Sequence, residues 1–308
     1  MKKIFIDGSA GTTGLRIHER LGKRDDINLV TLSDEKRKDP EARKEAINSS
    51  DVTFLCLPDD AAREAVAMTE NPDTVIIDTS TAHRTEPEFA YGFPELSDKL
   101  LNKIKTSKRI AVPGCHAGGF IALVYPLVKA GLISPDASLF CHSITGYSGG
   151  GKKMIAEYES EELDVLLTAP RQYGLSQTHK HLKEMKAISG INSFPIFTPV
   201  VSNFYSGMTV TVPLFKEMVN GSVNDIKDVY RSLYNTPIVK FSECASDNGF
   251  VSGASHSGLD SMTVAVDGNE DRILLIAQYD NLGKGASGAA VECLNISLGV
   301  DPATGLEL

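Results

Sequence analysis

Lys3-Ile4-Phe5-Ile6-Asp7-Gly8-Ser9-Ala10-Gly11-Thr12-Thr13-Gly14 reads as a strand, a glycine turn and the start of a helix. β-Branched and aromatic residues up to Ile6 favour the strand. Leu15, Ile17 and Leu21 then recur at helical spacing, with His18 expected on the outer face. The glycines, spaced G-x-x-G-x-x-G, let backbone approach a phosphate at the helix N-terminus, where free N–H groups and the dipole favour an anion. Gly8, Ser9, Gly11, Thr12, Thr13 and Gly14 are therefore candidate dinucleotide-binding residues. An ordinary tight turn uses glycines too, so the reading depends on the strands and helices further along the chain.

Working outward, residues 27–32, 52–57, 74–78 and 109–112 are strand-like, and 40–48 and 59–68 have helical length and spacing. Repeated strand–helix units with continuous apolar strands predict an α/β domain with a doubly wound, parallel sheet of Rossmann type. Ligands bind such sheets at the carboxyl ends of the strands, where 57–59, 78–80 and 113–115 should gather beside the glycine turn. Past residue 130 the texture changes. Residues 139–144, 194–200, 208–214, 262–266 and 273–278 are strand-like, several with period-two alternation, and long helical or loop stretches separate them. This predicts a second, α+β domain on an antiparallel or mixed sheet. The small-residue helical stretch 285–298 is expected to pack back on the first domain. The expected division is 1–115 with 284–308, and 116–283.

Ala111-Val112-Pro113-Gly114-Cys115-His116-Ala117-Gly118-Gly119 places a cysteine where a strand ends and a helix begins. Free N–H groups and the dipole favour a thiolate there, and thiol pKa values at such termini fall from about 8.5 to roughly 3.5–7.5. A buried structural cysteine is the alternative reading. Small residues on both sides leave room for a ligand, so Cys115 is the candidate nucleophile. His116, next on the emerging helix, is expected to point elsewhere.

The 308 residues suffice for two domains with sizeable cores. A balance of 31 basic and 40 acidic residues, net −9 with no basic run, argues against nucleic acid as a partner. No apolar run approaches the ~20 residues of a membrane span, and no signal-peptide pattern opens the chain. Five scattered cysteines, an odd number without C-x-x-C spacing, argue against a disulfide framework or a zinc site and for a reducing cytoplasm.

Thr178-His179-Lys180-His181 offers a metal pair, two exposed bystanders or a general acid/base; no Cys or carboxylate cluster accompanies it, which disfavours metal. Gly146-Tyr147-Ser148-Gly149-Gly150-Gly151-Lys152-Lys153 is a flexible loop or an anion cradle of amides and ammonium groups, without the spacing of a P-loop. Thr79-Ser80-Thr81-Ala82-His83-Arg84 offers hydroxyls and a guanidinium to a carboxylate or phosphate, and Arg171 is a further candidate. At the second strand end, Ser33 precedes Asp34-Glu35-Lys36-Arg37-Lys38. An acid there reads the ribose of NAD, whereas arginine accommodates the 2′-phosphate of NADP. Ser33 and Arg37 favour NADP, with Asp34 or Glu35 as the NAD-type alternative.

A glycine turn, a strand-end Pro-Gly-Cys, a downstream histidine pair and a returning C-terminal helix resemble the glyceraldehyde-3-phosphate-dehydrogenase-like superfamily. Within it, residues 8–14, 78–84, 112–119 and 179–181 are similar to the N-acetyl-gamma-glutamyl-phosphate reductase family in its shorter type, over nearly the whole chain. Asp280-Asn281-Leu282-Gly283-Lys284-Gly285-Ala286 looks like that family's return into the cofactor domain, which implies Asn281 near the nicotinamide. Lys183 departs from the pattern, where the family more often has proline. The resemblance implies a homo-oligomer that reduces a small anionic acyl phosphate, N-acetyl-glutamyl 5-phosphate, to the semialdehyde with NADPH, a step of arginine biosynthesis. Cys115 would carry the acyl group as a thioester, splitting a difficult step in two. His181 is expected to donate the proton and His179 to orient substrate, with Arg84, Ser148, Gly149 and Lys152 on the phosphate and carboxylate. Sister reductases of aspartyl or N-acetyl-aminoadipyl phosphate share this chemistry. A non-catalytic NADP-binding redox sensor would also present a cysteine, but would not need the histidines.

Overall fold

The computed structural model describes Met1–Leu308 as two compact units, Met1–Gly114 with Ala286–Leu306, and Cys115–Gly285 with Glu307–Leu308. In chain order the first contains β1 (Lys2–Asp7), α1 (Thr12–Leu21), β2 (Ile27–Val30), α2 (Pro40–Asn48), β3 (Val52–Leu55), α3 (Asp59–Ala67), β4 (Val75–Asp78), β5 (Ala90–Tyr91), α4 (Asp98–Thr106) and β6 (Arg109–Ala111). The second contains α5 (Cys115–Lys129), β7 (Phe140–Gly146), α6 (Gly151–Tyr158), β8 (Arg171–Gln172), α7 (His181–Ser189), β9 (Ile196–Ser202) and β10 (Met208–Phe215). It continues with α8 (Val223–Leu233), β11 (Val239–Ser242), β12 (Met262–Gly268) and β13 (Arg272–Tyr279), before α9 (Gly288–Leu298) returns to the first unit.

All strands of the first sheet are parallel, in the order β2-β1-β3-β4-β6-β5. β3 and β4 are buried throughout, as strands covered on both faces must be. On one face Ile4, Phe54, Ile77 and Ile110 pack with Ile17 of α1 and with Ala289, Ala290 and Leu294 of α9. On the other, Phe5, Leu55 and Ile76 pack with Ile47 of α2 and Ala62 and Ala65 of α3. Alternate side chains of β1 thus serve opposite cores, the period-two geometry of a strand. α2 starts where the sequence says, because Asp39 accepts from the Ala42 amide at 2.8 Å and Pro40 occupies the first turn. The connection reverses direction beside β1, between β2 and β3, which makes the ends of β1 and β3 the ligand-binding point of the sheet. The two-residue strand β5 had no sequence signal, being too short for periodicity.

The second sheet is mixed, in the order β11-β12-β13-β10-β7-β9-β8, with β7–β9 and β11–β12 parallel. The long strands β7, β9, β10, β12 and β13 lie where alternation places them, whereas β8 and β11 are additions. α8 is held by a reciprocal capping box between Ser222 and Asp225. The units divide at Gly114 and Gly285 rather than 115 and 283. Cys115 goes with the second unit because it is already the first residue of α5. The last two residues follow it because the Glu307 amide donates to Asp260 at 3.0 Å.

Candidate active site

The first unit holds the glycine turn at the end of β1. Gly8 has φ +88°, and a Cβ built there would lie 2.3 Å from the Cys56 carbonyl oxygen; one on Gly14 would lie 2.5 Å from that of Gly8. No side chain fits either place, so the turn presents backbone. The Gly11 amide closes it on the Gly8 carbonyl at 3.0 Å, and Thr12 and Thr13 open α1 directly behind. A cavity of about 480 Å³ adjoins it, lined among others by Gly8, Ser9, Gly11, Pro58, Arg37 and Lys38. A helix-heading turn that side chains cannot fill, next to two cations, fits a dinucleotide carrying phosphate.

Ser33 is not part of this lining. It is exposed, and its carbonyl accepts from the amides of Lys36 and Arg37, both at 2.9 Å. These two bonds form the turn that carries Arg37, which lines the cavity. Asp34, the alternative ribose reader, is 92% exposed and lies 3.4 Å from Arg37. Sequence reading missed Arg43, also in the lining. Its Nε donates to Asp7 Oδ2 at 3.0 Å in a buried pair, and Glu64 lies 3.5 Å from Nη1. Burial raises the Asp7 carboxyl pKa, against the pull of Arg43. A lone arginine on a polar helical stretch carries no sequence signal for this.

The strand-end segment 79–84 is also corrected. Arg84 is buried, and its Nε and Nη2 donate to the carbonyls of Val112 at 2.8 Å and Thr79 at 2.9 Å. The Thr79 hydroxyl donates to Leu55 O, that of Ser80 to Asp78, and that of Thr81 to Asp59. His83 Nδ1 lies 2.7 Å from Asp78 Oδ2, its ring stacked on Phe89. Groups expected to hold a substrate anion are tied to their own strand ends.

In the second unit Cys115 heads α5, half-buried. The Gly119 amide, which would ordinarily bond the Cys115 carbonyl, instead donates to the Tyr279 hydroxyl at 3.0 Å, and that hydroxyl donates to the Cys115 carbonyl. A tyrosine is thus inserted into the first helical hydrogen bond. A Cβ at residue 119 would sit 2.4 Å from that hydroxyl oxygen, which explains the glycine. Gly285 closes on the cysteine in the same way, since a Cβ there would come within 3.1 Å of Cys115 Cβ. Burial, and next the Cys115 charge, push the Tyr279 phenol far up, so it keeps its proton.

His116, expected to point away from Cys115, is buried within the second unit. It stands at the centre of an imidazole cluster, its ring centroid 6.0 Å from that of His179 and 5.6 Å from that of His181, with Phe197 at 5.3 Å. Its Nδ1 lies 2.7 Å from Ser143 Oγ and its Nε2 2.7 Å from the Tyr173 hydroxyl. Burial, reinforced by His179, pushes its pKa down to about 3. His179 and His181 lie 4.7 Å apart. His179 Nδ1 accepts from the His181 amide at 3.2 Å, which leaves its proton on Nε2, and burial lowers its pKa. His181 is the buried first residue of α7. Tyr173 and Ser143 gave no signal, since only the fold brings residues 116, 143 and 173 together.

Ser148 and Asn281 form a pair. Asn281 Nδ2 donates to Ser148 Oγ at 3.0 Å, and its Oδ1 accepts from the Gly207 amide at 2.9 Å. Asn281, expected at the cofactor, is buried with both ends of its amide engaged inside the second unit. It therefore braces the Ser148 turn. Gly149 and Lys152, the latter at the start of α6, are exposed.

Comparison with known proteins places both units. Residues 3–104 match the semialdehyde dehydrogenase NAD-binding domain, and 115–281 the semialdehyde dehydrogenase dimerisation domain. Among solved structures, aspartate semialdehyde dehydrogenase II from Vibrio cholerae superposes with a TM-score of 0.72 at 14% identity, covering 97% of this chain and 98% of that one. The aspartate semialdehyde dehydrogenase of Candida albicans, solved with NADP, gives 0.66 at 15% identity, covering 96% and 98%. These share the fold. In sequence the chain is 41% identical over 310 residues, 98% of each chain, to N-acetyl-gamma-glutamyl-phosphate reductase 2 of Pseudomonas putida. It is 42% identical over 320 residues, 99% of each, to the reductase of that name from Trichormus variabilis. With this identity along almost its whole length, the chain belongs to the N-acetyl-gamma-glutamyl-phosphate reductase family.

Proposed function

We propose that the protein reduces N-acetyl-L-glutamyl 5-phosphate to N-acetyl-L-glutamate 5-semialdehyde with NADPH, releasing phosphate, in arginine biosynthesis. The observation that carries this reading is Cys115 at the head of α5, with glycine against its Cβ, in a chain of that family. The thiolate attacks the acyl carbon, the C–O bond to phosphate breaks, and phosphate leaves with the bonding pair. A thioester on Cys115 remains, and covalent catalysis gains by dividing the reaction in this way. The cofactor, when bound, supplies the hydride for the thioester carbon. A proton lent to the resulting oxyanion gives the hemithioacetal; the same group takes it back as the carbonyl re-forms, the C–S bond breaks with its pair returning to Cys115 as the thiolate, and the aldehyde is freed. His181 is our candidate for that proton, with His179 orienting substrate through Nε2–H. Ser148, Gly149 and Lys152 are candidates for the substrate's anionic groups.

NADP is favoured over NAD because Arg37 and Lys38 line the cavity while Asp34 faces solvent. The outer face of the second sheet exposes Ile196, Phe215 and Leu274, at 61%, 58% and 37%, and we assign the homo-oligomer contact to it. Five free cysteines fit a reducing cytoplasm, and no helix is long and apolar enough to cross a membrane. The deciding assay is phosphate-dependent NADP reduction with N-acetylglutamate semialdehyde against aspartate semialdehyde. Turnover of the first alone is expected; turnover of aspartate semialdehyde alone would move the reading to the sister enzyme.

A further inference from the structure

Three tyrosine hydroxyls reach the backbone of α5. Tyr234 donates to the Ala122 carbonyl at 2.6 Å, and Tyr230 to the neighbouring Leu123 carbonyl at 2.5 Å. These two have a reason within the helix itself. Pro126 lies four residues after Ala122 and has no N–H, so the Ala122 carbonyl lacks its ordinary helical donor. Tyr279 is different. Its hydroxyl donates to the Cys115 carbonyl at 2.5 Å and accepts from the Gly119 amide at 3.0 Å. Residue 119 is a glycine, whose own N–H could serve that carbonyl directly. The helix has no need of this tyrosine, yet the glycine admits it, since a Cβ there would lie 2.4 Å from the hydroxyl oxygen.

The phenol is also held from behind. Tyr279 is fully buried at the end of β13, in register with Met208 of β10 on one side and Met262 of β12 on the other. The chain beyond it folds back on the cysteine. The Asp280 carbonyl accepts from the amides of Gly283 and Gly285, both at 3.0 Å, and a Cβ on Gly285 would come within 3.1 Å of Cys115 Cβ. One short segment, 279–285, therefore holds Cys115 twice, by a hydrogen bond at its carbonyl and by close packing beside its Cβ. The Cα–Cβ bond that carries the sulfur links these two points. We propose that Tyr279 is a positioning residue for the nucleophile, whose hydroxyl ties the first turn of α5 to β13 and so fixes where the Cys115 sulfur meets the acyl carbon. The inference rests on Cys115 being the nucleophile. Attack needs the reacting atoms about 3–3.5 Å apart and aligned, and a misplacement of about 1 Å can cost on the order of 10²-fold in rate. A carbonyl tied to a central strand is a firmer reference for that distance than a helix end, which frays.

The test compares Tyr279→Phe with Tyr234→Phe in the full chain, since each variant takes one hydroxyl away from α5. Both should unfold a few degrees below the wild type, as expected for one lost buried hydrogen bond. Only Tyr279→Phe should lose activity. In phosphate-dependent oxidation of N-acetylglutamate semialdehyde with NADP, its kcat is expected to fall about 10–100-fold while KM stays within about twofold. The burst of NADPH formed without phosphate, which reports thioester formation, should slow by the same factor. Gly119→Ala, whose Cβ would collide with the hydroxyl, should show the same split of kcat from KM, and it carries the test if Tyr279→Phe does not fold. Unchanged kcat in Tyr279→Phe overturns the proposal. So does an equal loss in Tyr234→Phe, which would make the effect a general loosening of α5. A rise in KM in place of the fall in kcat overturns it too, because the tyrosine would then serve substrate binding. A wild type that does not turn over the semialdehyde, or iodoacetamide labelling that spares Cys115, would instead overturn the reading beneath it, so the two failures are distinct.

Discussion

In the first unit the candidate cofactor turn is made of backbone from residues 3–14, whereas in the second the candidate catalytic group is made of side chains drawn from residues 115 to 281. The first depends on what is absent: Gly8 and Gly14 stand where a Cβ would meet backbone. The second depends on pairs that meet only in the fold, such as His116 with Ser143 and Tyr173. A backbone site tolerates exchange of side chains that do not fill it. A side-chain site is sensitive to each member, because every hydrogen bond sets the proton on the next.

The largest test of this contrast is Cys115→Ser. It should fold and bind cofactor but lose turnover by several orders of magnitude, because a serine hydroxyl stays protonated without a strong base. Steady-state rates beside a fluorescence titration with NADPH check it, and retained turnover would remove the side-chain site from the chemistry.

Next comes His181→Asn, expected to lower kcat by roughly 10²–10⁴, the usual scale of general acid/base catalysis. His179→Asn should act chiefly on KM. Single-turnover thioester formation should survive in both. Reversed effects would exchange the two roles, and unimpaired activity in both would assign the proton to water.

A third prediction concerns stability. Burial holds His116 at a pKa of about 3 against an ordinary 6.5. The unfolded chain therefore binds the proton first as pH falls. The stabilisation is fully present above about 6.5 and is lost progressively between 6.5 and 3. At pH 4.5 the loss from this group is about 2–3 kcal/mol, at 1.36 kcal/mol per unit. His142, His179 and His256, also lowered first by burial, act with the same sign. Urea unfolding at pH 7 and 4.5 should show the decline, and His116→Gln should flatten it. An identical slope in the variant would mean that His116 is already protonated in the fold.

The smallest effect is expected at the cofactor cavity. Losing Arg37 to alanine removes charge-assisted bonds of ~1.5–3 kcal/mol, about 10–150-fold in NADPH affinity, with little change for NADH. Equal losses for both cofactors, or a wild-type preference for NADH, would return the ribose-reading role to Asp34 or Glu35.

Where signals are local, they were legible. The strands of the parallel sheet other than β5, the span of α2 and the helical start at Cys115 follow from apolar periodicity and a Pro-Gly stop. Mistakes came where a polar residue near a strand end had several partners to choose from. Arg84 looked like an anion binder but is consumed by the carbonyls of Val112 and Thr79, and Asn281 by Ser148 and Gly207. Ser33 lends its carbonyl rather than its hydroxyl. The partners of His116 were not legible, because a residue's neighbours along a helix say nothing about the strand that faces it.

By itself, then, the sequence determined the alternating strand–helix order, the glycine turn, the cysteine at a helix start and the kinship of the whole chain. These depend on periodicity, on φ/ψ limits at glycine and proline, and on motifs a few residues long. Only the tertiary structure decided which polar groups remain available to a ligand and which are bound to the protein's own backbone. It also decided that Tyr279 enters the first turn of α5 and that His116 joins Ser143 to Tyr173. The physical reason is that a hydrogen bond is satisfied by proximity in space, and contacts across 27, 57 or 164 residues leave no trace in local spacing.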